Sequence, residues 1–213
     1  MELLSIEKLL LNSMALPIVP AEIGQLKSLR WLDLSYNRLK ELPAEIGQLK
    51  SLRWLDFSYN QLKELPVEIG QLENLLLLIV SGNQLKELPR EIGQLRNLKF
   101  LTATNNQLKE LPREIGQLRE LRTLRIERNQ LKALPAEIGL LKNLSNIFAC
   151  SNPIREIPAE ILQMTGVEIL DVSHTQLTTL PMKIGGRGGR RWIKITGTPY
   201  HRSILERQKM VDS

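Results

Sequence analysis

Hydrophobic residues recur along most of this chain on one fixed frame. Between Leu29 and Leu34, Leu32 and Leu34 alternate with Trp31 and Asp33, the period of a strand with one buried face. Leu39, Leu42, Ile46 and Leu49 follow at wider spacing and point back into the same core. The stretch 29–39 then returns almost unchanged 23 positions later, as 52–62. A unit this short cannot bury its apolar face alone and must stack on copies of itself. The proline after each unit's last leucine keeps the frame, at Pro20, Pro43, Pro66, Pro89, Pro112, Pro135, Pro158 and Pro181. An asparagine column runs through Asn37, Asn60, Asn83, Asn106, Asn129 and Asn152 before breaking to Thr175.

The pattern predicts one structural unit per period. Strands of three to five residues pair in parallel with neighbours about 5 Å away. Asn37 ends its strand, where a stacked column of amides can donate to and accept from buried turns. Pro43 starts a short convex turn of 3₁₀ type, since a missing N–H costs least there. Glu45 sits at the positive end of that turn's dipoles, and Gly47 is expected to take a positive φ as the chain swings to the next strand.

The full unit reads L-P-x-E-I-G-x-L-x-x-L-x-x-L-x-L-x-x-N-x-L-x-x and recurs over about residues 6–200. It resembles the leucine-rich repeat family, in the 23-residue class with the L-P-x-x-I-G-x-L signature found in bacterial repeat proteins and in eukaryotic intracellular Ras-associated ones. The resemblance implies an α/β solenoid: a curved right-handed coil, a parallel sheet on its concave face and short 3₁₀ or irregular turns on its convex face. It also implies protein ligands and no catalysis.

Three segments follow. Residues 1–19 form an N-terminal cap or degenerate first repeat, with Ile6, Leu9, Leu11 and Leu16 in register and Met14 replacing the asparagine. An amphipathic helix from Glu2 to Leu11 is an alternative there. Residues 20–182 form the regular repeats. In residues 183–213, Gly185, Gly186, Gly188 and Gly189 replace the convex leucines; Trp192, Ile193 and Ile195 fit a last strand, and Ser203 to Val211 fit a short capping helix.

Core positions do not name a function; the positions alternating with them do, because they line the concave sheet. A solvated sheet face should be mostly polar. Here Trp31, Trp54, Leu77, Ile79 and Phe100 fall on four successive strands, Tyr36 and Tyr59 stand at strand exits, and Phe148 lies further along. Aromatic residues dominate interface energetics, and a contiguous apolar stripe of this kind marks a contact site. Asp33 and Asp56 lie toward the N-terminal end, with Arg122, Arg125 and Arg128 in the middle. A partner with a basic and an acidic segment about three strands apart, roughly 15 Å, would fit in one orientation. Self-association through the same stripe, as a monomer–weak homodimer equilibrium, is the competing use.

Charge changes the picture only at the C-terminus. The net charge of +6 is matched by residues 183–213, which hold eight basic and two acidic residues, so the repeat body is neutral. Arg187, Arg190 and Arg191, among glycines and beside Trp192, suggest an alternative contact with nucleic acid or another acidic surface. The phosphate-loop spacing G-x-x-x-x-G-K-[ST] is absent. No nucleophile–base arrangement or metal-ligand spacing stands out around the two histidines, His174 and His201, and no cofactor is implied. Cys150 is the single cysteine; this and the lack of a signal-like N-terminus suggest a cytoplasmic, reducing setting. The apolar run Leu75 to Val80 is too short to span a membrane.

Overall fold

Among the described residues, nine three-residue strands lie side by side in the order in which they occur in the chain. The computed structural model describes residues 5–180 and 192–211. The strands are β1 (Lys8–Leu10), β2 (Trp31–Asp33), β3 (Trp54–Asp56), β4 (Leu77–Ile79), β5 (Phe100–Thr102), β6 (Thr123–Arg125), β7 (Asn146–Phe148), β8 (Ile169–Asp171) and β9 (Trp192–Lys194). Every pairing is parallel and keeps the 23-residue register, so Trp31 meets Trp54 and Asp33 meets Asp56. The result is an open, curved solenoid with its sheet on the concave wall. The N-terminal segment that could alternatively be helical contributes β1, paired to β2 with Lys8 opposite Trp31.

The convex wall is built of 3₁₀ turns at Ala21–Gln25, Ala44–Gln48, Val67–Gln71, Arg90–Gln94, Arg113–Gln117 and Ala136–Leu140, each preceded by the frame proline. A one-turn helix, α1 (Ala159–Gln163), takes the next such place, where Leu162 stands in the glycine column. A second helix, α2 (Pro199–Val211), follows β9. It starts four residues earlier than the sequence pattern suggests, because Thr198 accepts a hydrogen bond from the His201 amide at its Oγ1 and Pro199 supplies the first helical position.

Between the walls the leucines seal a single core. Leu29, Leu32, Leu34, Leu39, Ile46 and Leu49 are fully buried, as are their equivalents in the central repeats. The asparagine column closes the polar side of this core. Asn60 Nδ2 donates to the carbonyls of Leu34, of the preceding repeat, and Phe57, while Asn60 Oδ1 accepts from the Leu39 amide. Backbone groups that would otherwise be buried without partners are thus satisfied by a neighbouring repeat's side chain.

The glycine expectation is corrected. Gly47 does not have a positive φ. It is required because successive convex turns approach closely: a Cβ there would lie 2.6 Å from the Glu68 carbonyl oxygen. The left-handed conformation belongs instead to the strand exits. Ser13, Tyr36, Tyr59, Gly82, Asn105, Arg128, Ser151, His174 and Gly197, at 23-residue intervals, all have φ between 53° and 76°. Each repeat turns sharply away from its strand at this one residue, whatever its type.

Candidate functional site

The short strands hold two side chains per repeat on the concave wall, and strict register turns them into columns. Trp31 and Trp54 stack with ring centroids 4.1 Å apart and planes 21° apart. Tyr36 and Tyr59 stack at 4.5 Å and 12°. Offset ring pairs of this kind contribute about 0.5–1.5 kcal/mol beyond their burial and hold each other rigid. The tyrosine ladder ends at Gly82, where a Cβ would lie 2.7 Å from the Tyr59 ring. Lys8 Nζ covers the outer face of Trp31 at 5.1 Å from the ring centroid.

The apolar stripe is continuous and open to solvent. Trp31 and Phe100 are 38% and 40% exposed, Tyr36 and Tyr59 more so, and Trp54, Leu77 and Ile79 between them are half-buried. Tyr36 and Tyr59 hold these exposed positions in left-handed backbone, a conformation bulky residues seldom adopt.

Beside the stripe, Asp33 Oδ1 accepts from the Ser35 amide at 2.9 Å and from Ser35 Oγ at 2.6 Å. Asp56 Oδ1 accepts from the Ser58 amide at 2.7 Å. Both carboxylates are thereby aimed. Burial pushes the Asp56 carboxyl above its ordinary pKa, against the Ser58 hydrogen bonds that lower it, and the neighbouring Asp33 charge adds to the rise. A partner's cation would relieve that excess of negative charge.

The arginines behave differently from one another. Arg122 precedes β6, Arg125 lies within it and Arg128 leaves it, so the three are strung along one strand. Only Arg125 is held. Its Nε and Nη2 donate to Glu127 Oε1 at 3.1 and 2.8 Å, and its guanidinium stacks over the half-buried Phe148 at 5.2 Å. Arg128 and Arg122 are exposed. Glu127 is the group that sequence reasoning missed. It is 8% exposed, and its Oε2 has no hydrogen-bond partner among the described residues. One signal was available: Glu127 is the charged member of a column otherwise occupied by Ser35, Ser58, Ser81, Thr104, Cys150 and Ser173. Burial pushes the Cys150 thiol up, and the negative charges of Asp171 and Glu127 push it further, so it is a poor nucleophile.

Arg187, Arg190 and Arg191 lie outside the described residues. No group of three or more His, Cys, Asp or Glu suited to a metal ion occurs among the described residues, and no described helix is long and apolar enough to cross a membrane.

Comparison with known proteins agrees with this geometry. A family model described as a leucine-rich repeat region matches residues 45–108 and 87–152, and a second, leucine rich repeat, matches residues 5–62. No curated protein sequence matches the chain. Among solved structures, a leucine-rich repeat protein of Leptospira interrogans is 39% identical with a TM-score of 0.60, over 78% of this chain and 48% of its own. The plant peptide hormone receptor RGFR1, solved with RGF2, is 33% identical with a TM-score of 0.67, over 82% of this chain and 33% of its own. The ectodomain of the Arabidopsis thaliana receptor kinase GASSHO1/SCHENGEN3, solved with Casparian strip integrity factor 2, is 31% identical with a TM-score of 0.74, over 85% of this chain and 23% of its own. The chain therefore spans about half the length of the bacterial structure and a third or less of the plant ones.

Proposed function

The chain belongs to the leucine-rich repeat family, and on that premise we propose that it is a non-catalytic interaction module that takes a protein or peptide on its concave face. One observation carries the reading. An apolar stripe from Trp31 to Phe100 stays open to solvent on a rigid sheet, flanked by oriented carboxylates at one end and a clamped arginine at the other. Trp31, Trp54 and Phe100 anchor the ligand. Asp33 and Asp56 receive a basic group, Arg125 an acidic one about three strands away, roughly 15 Å. The two plant structures were solved in complex with ligands, a peptide hormone receptor with RGF2 and a receptor kinase ectodomain with Casparian strip integrity factor 2, which supports the same use of the fold.

Rigidity matters here because ordering a floppy surface subtracts from affinity. Several concave side chains are held by a neighbour: Trp31 by Trp54, Tyr36 by Tyr59, Arg125 by Glu127. The face therefore loses little freedom on docking. Cys150 as the one cysteine supports a reducing compartment as the setting.

The test is a pull-down with wild type and Trp54→Ala as paired baits, followed by calorimetry on whatever the wild type alone retains. Trp54→Ala is expected to weaken binding by at least about 1 kcal/mol, roughly five-fold or more in Kd, with its thermal unfolding still cooperative. Equal retention by both baits would remove the concave face from the account.

A further inference from the structure

The flank of the solenoid from which the chain enters its strands carries two columns of cations. Lys27, Lys50, Arg96, Arg119 and Lys142 form one; Arg30, Arg53, Lys99 and Arg122 form the other. Between residues 27 and 142 these two columns contain one carboxylate, Glu73. A repeat body that is neutral as a whole is therefore polarised across its width.

The N-terminal members of these columns are engaged. Lys27 Nζ donates to Gln48 Oε1 and Lys50 Nζ to the Gln71 carbonyl, both at 2.9 Å, and Arg30 lies 3.6 Å from Glu7. Each lysine thus reaches the glutamine 21 positions on, in the next convex turn. At Arg119 the same reach ends on Leu140, which breaks the column of Gln25, Gln48, Gln71, Gln94 and Gln117. Leu140 offers no side-chain acceptor and is 66% exposed. Arg96, Arg119, Arg122 and Lys142 are exposed, and none has a side-chain hydrogen bond or ion pair among the described residues.

The surface is recessed at this place. Arg96, Gln117, Arg119, Leu140, Lys142 and Asn143 line an open depression of about 840 Å³. Asn143 is fixed there, its Nδ2 donating to the Arg119 carbonyl at 2.9 Å. Half-buried Glu120 is the one carboxylate among the described lining residues, so three cations face one anion. The cations stand one repeat apart, about 5 Å per step and about 10 Å in all, the reach of about four extended residues. Like charges held this close are favoured by an occupant that brings the opposite sign. Leu140 gives that occupant an apolar contact. None of the described lining residues is aromatic, so bases find no ring to stack on. Glu120 repels a line of phosphates but accepts from a peptide N–H.

We propose that this flank depression docks an acidic protein segment, extended across residues 96–142, with its carboxylates on Arg96, Arg119 and Lys142 and an apolar side chain on Leu140. Arg122, immediately before β6, continues the cationic surface toward the concave wall. The site lies off the aromatic stripe, and the inference stands whether or not that stripe holds a ligand.

Fluorescence anisotropy of the full chain tests it at 150 mM salt, where charges more than about 8 Å apart are largely screened. The probe is a fluorescein-labelled nine-residue peptide of glutamates around one central leucine. The wild type is expected to bind it saturably, with a Kd of about 100 μM or tighter. Arg119→Glu with Lys142→Glu is expected to weaken binding at least about ten-fold and keep the far-ultraviolet spectrum. Lys40→Glu with Lys63→Glu makes the same change of net charge on the opposite flank and is expected to stay within about two-fold of wild type. Leu140→Gln, which restores the column residue, is expected to abolish the preference for this peptide over one with a central glycine. Trp54→Ala is expected to leave the affinity unchanged. A wild type without saturable binding overturns the proposal. So does an equal loss in the two charge-reversal variants, a leucine preference that survives Leu140→Gln, or a loss on Trp54→Ala. Tighter binding of a nine-nucleotide single strand through Arg119 and Lys142 also overturns it, assigning the site to nucleic acid.

Discussion

Replacing Asn83 by Ala removes the middle of the amide ladder and should be among the costliest surface-neutral changes in the chain. Asn83 Oδ1 is the acceptor for the Leu62 amide at 3.0 Å, and Asn83 Nδ2 donates to the carbonyls of Phe57 and Val80, both at 3.1 Å. Those carbonyls keep a second donor each, from Asn60 and Asn106. The Leu62 amide keeps none, in a region where Leu62 is fully buried. An orphaned buried donor costs about 1–3 kcal/mol and each of the two lost neutral bonds about 0.5–1.5 kcal/mol net, so a total of about 2–6 kcal/mol is expected. Urea unfolding followed by circular dichroism measures it. Asn83→Thr should recover part of the loss, because Thr175 fills this column natively and donates through Oγ1 to the Val172 carbonyl at 2.8 Å. Asn37→Ala should cost less than Asn83→Ala, since the amides it satisfies, Met14 and Leu16, lie at the partly exposed first repeat. A loss below about 1 kcal/mol for Asn83→Ala would refute the view that the ladder satisfies otherwise stranded backbone.

Gly70→Ala should destabilise by about 1–3 kcal/mol in the same assay, because its Cβ would meet the Glu91 carbonyl oxygen at 2.5 Å and convex turns cannot separate without opening the core. The raised Asp56 pKa means the folded state binds the proton more tightly than the unfolded chain, so this group's contribution weakens as pH rises from the ordinary carboxylate value through the folded one. Asp56→Asn should accordingly gain stability over wild type at pH 7, and the gain should vanish at pH 3; a gain that grows on acidification would contradict the burial argument. Glu127→Ala should free the Arg125 guanidinium and weaken a ligand bound through it by about 1 kcal/mol or more, seen by calorimetry, with Arg125→Ala adding little further loss in the double variant. Cys150 in the folded protein should react with a thiol reagent at pH 8 more slowly than in urea, given its raised pKa.

Most of the scaffold is legible because it is periodic: a side chain's neighbour in space is the residue 23 positions away, so register and burial follow from counting. The strand columns, the asparagine ladder and the proline-led convex turns are of this kind. What counting misread was the purpose of a glycine. Gly47 and the left-handed strand exits both trace to tight turning, but close approach to the next repeat and backbone handedness leave the same mark in a sequence. The strand-exit column conceals its geometry further, because Tyr36, Asn105 and Arg128 all accept it. The concave columns were equally readable, yet which side chains hold one another was not. The Arg125–Glu127 pair runs within a single strand exit, across the boundary between a column expected on the surface and one that the structure buries. At the N-terminus the strand alternative holds, but the apolar depression beside Leu9 and Leu11 is visible only in three dimensions.

The strict parallel register gives the concave face a built-in scale. Since each repeat rests only on its two neighbours, excising one whole unit between β3 and β6 should leave the rest of the coil standing and bring the acidic pair one strand spacing, about 4.8 Å, nearer to Arg125. The protein is in that sense a caliper whose jaws move in fixed increments. If the concave face binds as proposed, the length of ligand it holds is set by how many units lie between the jaws, and a change of grip would require gain or loss of an entire unit.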